Sequence, residues 1–292
     1  MARTTAAALL IAAILAGGGG LCAGAAPPRI VSLAPAVTET IFALGAGSEL
    51  VGVSDYCDYP PAARNLPRVG SYLTPNVEQI IALTPTLIIG ADLSSNQREI
   101  SALDAMGYRT ATVADNSIAE IEDGIERIGI LTGREQTARR LTAAVSRELD
   151  ATRARVAGLK PRRVLMVVGH QPMVAVGPGT YLDQLIGLAG GINIAAGAAE
   201  TWPRLSIEYI IAMKPEVILD GQMGGDKASL PDFWKQYPSI PAVRDGHVYG
   251  YPQDPTLHPG PRIAESFAII AARLHPEAFA PEPALKAAMA RR

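Results

Sequence analysis

The stretch "VEQIIALTPTLIIG", residues 77–90, has a second version in "IEYIIAMKPEVILD", residues 207–220. Each version begins with apolar residues at helical spacing, passes through a proline and ends in a short apolar run. Proline ends a helix because it has no N–H to donate, and a short apolar run after it is typical of a buried strand. A solenoid needs at least three repeats, so two distant copies predict two similar α/β lobes around a cleft.

Strand-like and helix-like segments alternate through both halves of the chain. "RIVSL" at 29–33 leads into the amphipathic "APAVTETIFALGAG" at 34–47, and "VLMVVG" at 164–169 precedes "YLDQLIGLAGG" at 181–191. Alternation of this kind predicts central, mainly parallel sheets with helices on their faces. The predicted fold class is therefore α/β.

One long helix interrupts this alternation between the halves. Its apolar stripe steps by three or four positions along "REQTARRLTAAVSRELDATRARVAGL", at Ala138, Leu141, Val145, Leu149, Thr152 and Val156. At about 1.5 Å per residue such a helix runs nearly 40 Å, which is long enough to join two lobes. We expect an N-terminal lobe over 26–133, a linking helix over 134–160 and a C-terminal lobe over 161–292.

The first 25 residues have the pattern of a secretory signal peptide: Arg3, a long apolar run and small residues at the end. Cleavage is expected before Ala26, which would give an exported protein. A lipid anchor on Cys22 is the alternative, but Leu21 stands before it where a small residue is usual. If Cys22 leaves with the signal peptide, Cys57 has no partner for an internal disulfide.

Composition excludes several classes of function. With 48% apolar and 18% charged residues the chain is globular, and a formal charge of −2 gives no reason to expect nucleic acid. No G-x-S-x-G, phosphate-binding loop, H-E-x-x-H or C-x-x-C occurs in the sequence. We therefore predict a monomeric, non-catalytic protein without a resident metal or cofactor.

One glutamate stands near the start of each copy of the repeat, Glu78 in the first and Glu208 in the second. A carboxylate in a first helical turn is favourable because of the helix dipole. Because the two positions are equivalent, they also form a pair of carboxylates, one per lobe, that fits basic groups of a two-fold partner. The sequence leaves both interpretations open.

Several segments resemble the cobalamin-binding branch of the periplasmic substrate-binding proteins, whose two lobes are joined by a rigid helix. The resemblance covers nearly the whole chain after residue 26 and is carried by "RIVSLAPAVTETIFALGAG", "VGVSDYCDYP", "VEQIIALTPTLII", "WPRLSIEYIIAMKPEVIL" and "HPGPRI". It implies a receptor that captures cobalamin or a related corrinoid as transported ligand. It also implies delivery of that ligand to an ABC importer.

The resemblance implies roles for particular residues. Tyr56 and Tyr72 would line the first lobe's side of the cleft, with Trp202 and Val174 on the second lobe's side. Polar groups of two further residues would reach the amide rim of the ligand, namely Asp254 and His258. The repeat glutamates, Glu78 and Glu208, would engage arginines of the membrane permease.

Two departures bear on the ligand. His258 stands where a larger basic residue is often found, and Ala189 stands where some relatives have a cysteine. Haem is the main alternative ligand, because Tyr56 and His258 are residue types that bind haem iron, with His170 as a further candidate. Ferric siderophores fit less well, since they favour clustered arginines and the predicted cleft has only Arg204 and Arg262 nearby.

Overall fold

The computed structural model describes residues 27–221 and 230–279. The predicted signal peptide, residues 1–25, lies outside these ranges. The first lobe contains the strands β1 Ile30–Ser32, β2 Leu50–Val53, β3 Leu87–Ala91 and β4 Thr110–Val113. Its α-helices are α1 Pro35–Ala43, α2 Val77–Ala82, α3 Gln97–Ala105 and α4 Ile118–Thr132, and short 3-10 turns cover Gly47–Glu49 and Pro61–Asn65.

The sheet of the first lobe has the strand order β2-β1-β3-β4, and every pair is parallel. The strands are short and almost continuously apolar, as expected for a sheet covered on both faces. All five residues of β3 are buried. The prediction of a parallel sheet with helices on its faces is confirmed for this lobe.

The linking helix is α5, Glu135–Val156, whose 22 residues span about 33 Å. It packs against α4 of the first lobe and against the last long helix of the second lobe. A β-carbon added to Gly129 of α4 would lie 2.4 Å from the β-carbon of Ala138, so the close approach of α4 and α5 requires glycine there. The start of the linking helix is therefore packed closely against the first lobe.

The second lobe contains the strands β5 Arg162–His170, β6 Met173–Ala175, β7 Gly191–Asn193, β8 Val217–Asp220 and β9 Val248–Gly250. Its helices are α6 Tyr181–Leu188, α7 Ile207–Met213, α8 Leu230–Lys235, α9 Pro241–Arg244, α10 Gln253–Thr256 and α11 Ile263–Leu274, followed by a 3-10 turn at Pro276–Ala278. None of the helices within the described ranges is both long and apolar enough to cross a membrane.

The second sheet repeats the order of the first. Strands β7, β5, β8 and β9 are neighbours in that order and pair in parallel, which matches β2-β1-β3-β4. Strand β6 is additional, since it pairs antiparallel with the end of β5. The predicted class of two similar α/β lobes joined by one long helix is confirmed, whereas β6 had no sequence signal of its own.

The repeated segments form the same unit in each lobe, a short helix followed by a strand. Helix α2 begins after Asn76 and α7 after Ser206, and each of these side chains accepts a hydrogen bond from a backbone N–H of the first turn. Ile80 and Ile210 occupy equivalent positions and are fully buried. One polar cap and one buried apolar residue thus orient each helix in the same way.

A single apolar core runs from the first lobe through the linking helix into the second. It includes Ile41 of α1, Val145 of α5 and Phe267 of α11, which are at most 3% exposed. Separate apolar clusters cover the other face of each sheet. Because the lobes share this core, relative motion between them would expose apolar surface to water.

Candidate ligand-binding site

The loop after β2 carries the first predicted cleft residue, Tyr56. Its side chain is 64% exposed, and its backbone has a left-handed φ of 68°. The guanidinium of Arg68 holds this loop by donating to the backbone carbonyls of Ser54 and Cys57 and to the carboxylate of Asp58. The loop is thus fixed while the aromatic ring at its tip remains open to solvent.

Cys57 anchors the base of the same loop. Its thiol is buried, accepts a hydrogen bond from the hydroxyl of Thr38 at 3.2 Å and lies 3.2 Å from the hydroxyl of Ser54. Burial raises the pKa of the thiol, against the lowering effect of these hydrogen bonds and of nearby Arg68. The cysteine therefore belongs to the support of the loop that presents Tyr56.

Tyr72 lies in the loop before α2 and is half-buried. The side-chain amide of Asn96 donates to its backbone carbonyl at 3.3 Å, which ties this loop to the segment after β3. Burial raises the pKa of the Tyr72 hydroxyl, and the nearby hydroxyl of Tyr56 raises it further. The backbone N–H of Asp55 donates to the carbonyl of Gly70 at 2.8 Å, so the loops that carry the two predicted tyrosines are joined on the first lobe.

Trp202 lies on an extended segment that runs beside β6. The backbone N–H of Ala175 donates to Pro203 at 3.0 Å, and Val174 pairs with Arg204. This arrangement places the two predicted contacts of the second lobe, Val174 and Trp202, on adjacent chains at one edge of the sheet. The indole is 43% exposed, so its ring is available for contact with a ligand.

Asp254 and His258 belong to a group of four charged side chains that joins the lobes. Glu39 of α1 is 3% exposed and accepts two hydrogen bonds from Arg262, at 2.7 and 2.6 Å. The imidazole Nδ1 of His258 lies 2.9 Å from the same carboxylate, and Arg262 also pairs with Asp254. We call Glu39, Asp254, His258 and Arg262 the interlobe ion cluster.

The charges of this cluster support one another. Burial lowers the pKa of His258, but hydrogen bonds and attraction from Asp254 and Glu39 outweigh it and raise that pKa to about 9. Burial raises the pKa of Asp254, but the hydrogen bonds and positive charges of His258 and Arg262 outweigh burial and lower that pKa to about 2. Near neutral pH His258 is therefore protonated and Asp254 is ionised.

Three members of the cluster are residue types that bind metals. Ligand atoms of Glu39, Asp254 and His258 lie within 4.8 Å of one another. However, the guanidinium of Arg262 pairs with both carboxylates, and His258 is protonated at neutral pH, so its ring has no lone pair for an ion. In this arrangement Arg262 is bound to the two carboxylates that a metal ion would also need.

Further contacts cross the lobe boundary beside the cluster. The guanidinium of Arg262 lies 3.8 Å from the ring centre of Tyr59, which belongs to the same loop as Tyr56. The backbone N–H of Ile118 donates to the side-chain oxygen of Gln184 at 2.9 Å. The loop that presents Tyr56 is thus in direct contact with the second lobe.

His170, the further candidate for an iron ligand, lies at the end of β5. Its Nε2 is 2.6 Å from the carboxylate of Asp220, which is fully buried and also accepts a hydrogen bond from the indole of Trp234 at 2.7 Å. The ring centre of Phe233 lies 4.3 Å from that of His170. The imidazole is therefore held by a buried carboxylate and an aromatic cluster.

Glu78 and Glu208 are exposed in the first turns of α2 and α7. Hydrogen bonds from its own backbone N–H and from Ser206 lower the pKa of Glu208, so this carboxylate is ionised at neutral pH. Their equivalent positions give each lobe one outward carboxylate on the same structural unit. This geometry fits both a helix-start charge and a docking charge.

Sequence reasoning missed Glu39 and Tyr59, and it treated Arg262 only as a nearby charge. A partial signal was present, because Glu39 lies between the buried positions Val37 and Ile41 of a short apolar helix, where an acidic residue requires a partner. The identity of the partner could not be predicted from the sequence, because Arg262 is 223 positions further along the chain. Ligand contact by the predicted cleft residues stays a prediction.

Residues 30–255 match the family model described as periplasmic binding protein. This match covers most of the chain, from the first strand of the first lobe to the last short helix before α11. The chain belongs to the periplasmic binding protein family. Its two-lobed fold and the linking helix agree with that membership.

The proteins that this chain is similar to include some named for vitamin B12 and some named for heme. The vitamin B12-binding protein of Salmonella paratyphi A is 30% identical over 75% of this chain and 81% of its own length. The periplasmic vitamin B12 binding protein BtuF of Vibrio cholerae has a TM-score of 0.76 and 28% identity, over 84% of this chain and 96% of that one. The periplasmic heme-binding protein RhuT from Roseiflexus sp. RS-1 has a TM-score of 0.79 and 31% identity. This similarity covers 87% of the present chain and 100% of the RhuT chain.

Proposed function

We propose that this protein captures cobalamin or a related corrinoid between its lobes and delivers it to an ABC importer. The observation that carries the proposal is the presence of exposed aromatic rings on fixed segments of both lobes, Tyr56 at 64% and Trp202 at 43%. A corrin is a large plate with apolar faces, and aromatic rings on the two walls of a cleft would bury those faces. The relatives named for vitamin B12 support the same ligand class.

A polar edge would orient the plate. The carboxylate of Asp254 is 43% exposed and that of Glu39 only 2%, so the interlobe ion cluster has a buried end and an open end. The amide groups around a corrin donate and accept hydrogen bonds, and Asp254 and His258 at the open end offer both kinds of partner. Tyr72 and Val174 would complete the apolar walls.

Delivery would use the outward carboxylates. Glu78 and Glu208 lie on equivalent helices, so a two-fold permease with one basic group per half could engage both at once. Opposite charges across an interface guide association and fix its register. The protein would act as a monomer with no chemical step, because its task is to hold and release the ligand unchanged.

The proposed route to the importer begins with export. The signal peptide would be cut before Ala26 to release the protein into the periplasm, and acylation of Cys22 is the alternative. The released chain would comprise a first lobe over 26–133, the linking helix over 134–160 and a second lobe over 161–292. Mass spectrometry of the exported protein distinguishes cleavage before Ala26 from a lipid-modified cysteine.

Haem is the second candidate ligand, favoured by the likeness to a heme-binding protein at a TM-score of 0.79. The geometry makes His258 a poor iron ligand, because its protonated ring pairs with Glu39. A haem site would instead have to use Tyr56 with His170, whose Nε2 is bound to the carboxylate of Asp220. A metal-bound histidine commonly donates a hydrogen bond from its other ring nitrogen to a carboxylate in this way.

Absorbance titration with cyanocobalamin, cobinamide and haemin separates these candidates. We expect one corrinoid per protein, with cyanocobalamin or cobinamide binding at least about 100-fold more tightly than haemin, about 2.7 kcal/mol. Tight haemin binding with a shifted Soret band that His170→Ala or Tyr56→Phe removes, together with weak corrinoid binding, would overturn the assignment.

A further inference from the structure

The interlobe ion cluster has an unusual centre, a nearly inaccessible carboxylate whose partners all come from the other lobe. We propose that Glu39 is a positioning residue that clamps the lobes through Arg262 and His258 and thereby sets the shape of the cleft. The consequence for ligand binding rests on the proposed corrinoid site. The clamp itself rests only on contacts between side chains of this chain.

Burial makes the clamp a strong constraint. The side chain of Glu39 is 2% exposed, and its two oxygens receive hydrogen bonds from Arg262 and His258, 223 and 219 positions away. A buried carboxylate without partners is strongly unfavourable, because neither water nor another donor replaces the lost bonds. Opening the cleft at this point would separate Glu39 from both partners, so the cluster resists opening.

The same contacts also reach the proposed ligand surface. One guanidinium, that of Arg262, binds Glu39, pairs with Asp254 and stacks on Tyr59. Asp254 is the open end of the cluster, and Tyr59 belongs to the loop that carries Tyr56. The position of Arg262 therefore determines where both a polar and an aromatic contact of the cleft lie.

The fork geometry of Arg262 explains why arginine serves here. Its Nε and Nη2 bind the two oxygens of Glu39 at 2.7 and 2.6 Å, which fixes the plane of the guanidinium. Lysine would keep the positive charge but could neither form this paired contact nor stack on Tyr59 in the same way. The contact with Glu39 therefore requires the orientation of the Arg262 guanidinium as well as its positive charge.

Spin-label distance measurement on the ligand-free protein tests the clamp. Labels are placed at Ala82 and Ala212, exposed alanines at equivalent positions of α2 and α7, in a Cys22→Ser background in which Cys57 is buried. We expect Glu39→Gln to broaden the distribution of distances between the labels at least about twofold. A distribution as narrow as that of the parent protein would overturn the proposal.

Matched variants separate the clamp from a general loss of stability. Glu49→Gln removes a carboxylate bound to Arg134 at 2.7 Å, a pair that does not cross the lobe boundary, and should leave the distribution unchanged. Equal broadening in Glu49→Gln would contradict a specific role for Glu39. If the paired contact of Arg262 with Glu39 matters, Arg262→Lys should give a distance distribution whose width lies between those of the parent protein and Glu39→Gln. Arg262→Lys also tests the clamp if Glu39→Gln fails to fold.

Ligand kinetics supply a separate readout. With cyanocobalamin as probe, Glu39→Gln should increase the dissociation rate about tenfold and change the association rate little. If the parent protein binds no corrinoid but Glu39→Gln still broadens the label distances, the proposed function fails and the clamp stands. If the parent binds cyanocobalamin and the Glu39→Gln distances stay narrow, the clamp fails alone.

Discussion

The two lobes share their framework but differ at the edge where the proposed ligand binds. Both sheets have the same parallel order, and both contain the unit in which a short capped helix precedes a buried strand. Glu78 and Glu208 are part of this shared unit. Tyr72 and Trp202 also stand at equivalent positions, six residues before the glutamates. Each lobe thus has a carboxylate outside and an aromatic residue near the cleft.

The differences concentrate in the second lobe. Among the strands that the structure describes, the antiparallel β6 occurs in the second lobe alone, and with the segment 201–205 beside it β6 enlarges the sheet edge next to Trp202. Gly90 ends the repeat in the first lobe, where the second lobe has Asp220 bound to His170 and Trp234. The shared carboxylates fit a two-fold partner, whereas the enlarged sheet edge of the second lobe fits a ligand with two unlike faces.

The largest effect should be a loss of transport when the two carboxylates that the lobes share, Glu78 and Glu208, are removed. Replacing Glu78 and Glu208 together with alanine should reduce transport in reconstituted vesicles by at least about 30-fold, because unpaired interfacial charges cost about 2 to 5 kcal/mol. Each single change should give a partial defect, since the other lobe still holds its side. Corrinoid affinity, measured by titration of the same variants, should stay the same.

A control pair tests whether charge number alone matters. Glu148 and Asp150 are exposed acids on the linking helix, and replacing both with alanine makes the same change in net charge. Transport by that variant should equal transport by the parent protein. Normal transport by the Glu78 and Glu208 double variant would mean that these carboxylates are only helix-start charges.

The next effect concerns the edge that the lobes do not share. Trp202→Ala should weaken corrinoid binding by about 1 to 3 kcal/mol, because the exposed indole loses its contact area with the ligand. Tyr72→Ala should cost less, since Tyr72 is already half-buried in its own lobe. Trp202→Phe is the control that keeps an aromatic ring, and it should retain most of the affinity. Unchanged affinity in a folded Trp202→Ala would exclude the indole from the site.

The interlobe ion cluster should respond to alkaline pH. The pKa of His258 is raised to about 9 from an ordinary value near 6.5, so its stabilising contribution is full below about pH 6.5 and is lost as pH rises through 9. The charged groups that face it are Glu39, Asp254 and Arg262, and of these Arg262 does not titrate in this range. Thermal unfolding should therefore show a loss on the order of 2 kcal/mol between pH 7 and 10.

His258→Gln is the matched variant for this pH effect. Glutamine can still form a hydrogen bond but does not titrate, so the variant should be less stable at pH 7 and should lack the additional loss near pH 9. If His258→Gln lost stability near pH 9 in the same way as the parent protein, the pH effect would belong to a group other than His258. Acid has a separate effect, because the pKa of Asp254 is lowered from 3.8 to about 2, so its contribution is full above the ordinary value and is lost as pH falls through about 2.

The repeat allowed the fold to be predicted from sequence because helix spacing, proline and short apolar runs are local signals. Strand β6 was missed since Met173–Ala175 is too short to show a pattern, and its pairing depends on the turn after β5. Interlobe pairing was also hidden, because Glu39 and Arg262 meet only after both lobes have folded. Trp202 was named from the family resemblance of the segment "WPRLS", and its contact with the ligand stays a prediction.

The smallest expected effect is the change of shape on binding. The lobes share an apolar core through α5 and are joined by the interlobe ion cluster, so closure should be small. Small-angle X-ray scattering with and without cyanocobalamin should give radii of gyration that agree within about 1 Å. Marked compaction on binding would show that neither the core nor the cluster fixes the lobes.

The central claim is that a corrinoid lies between two aromatic edges that belong to different lobes. A crystal structure of the protein with cyanocobalamin tests it most directly. We expect the corrin ring between the lobes, with Trp202 on one side and Tyr56 on the other within about 4 Å of it, and its amides near Asp254. A corrinoid bound outside the cleft, or a cleft that excludes it while haemin enters and binds His170, would contradict the account.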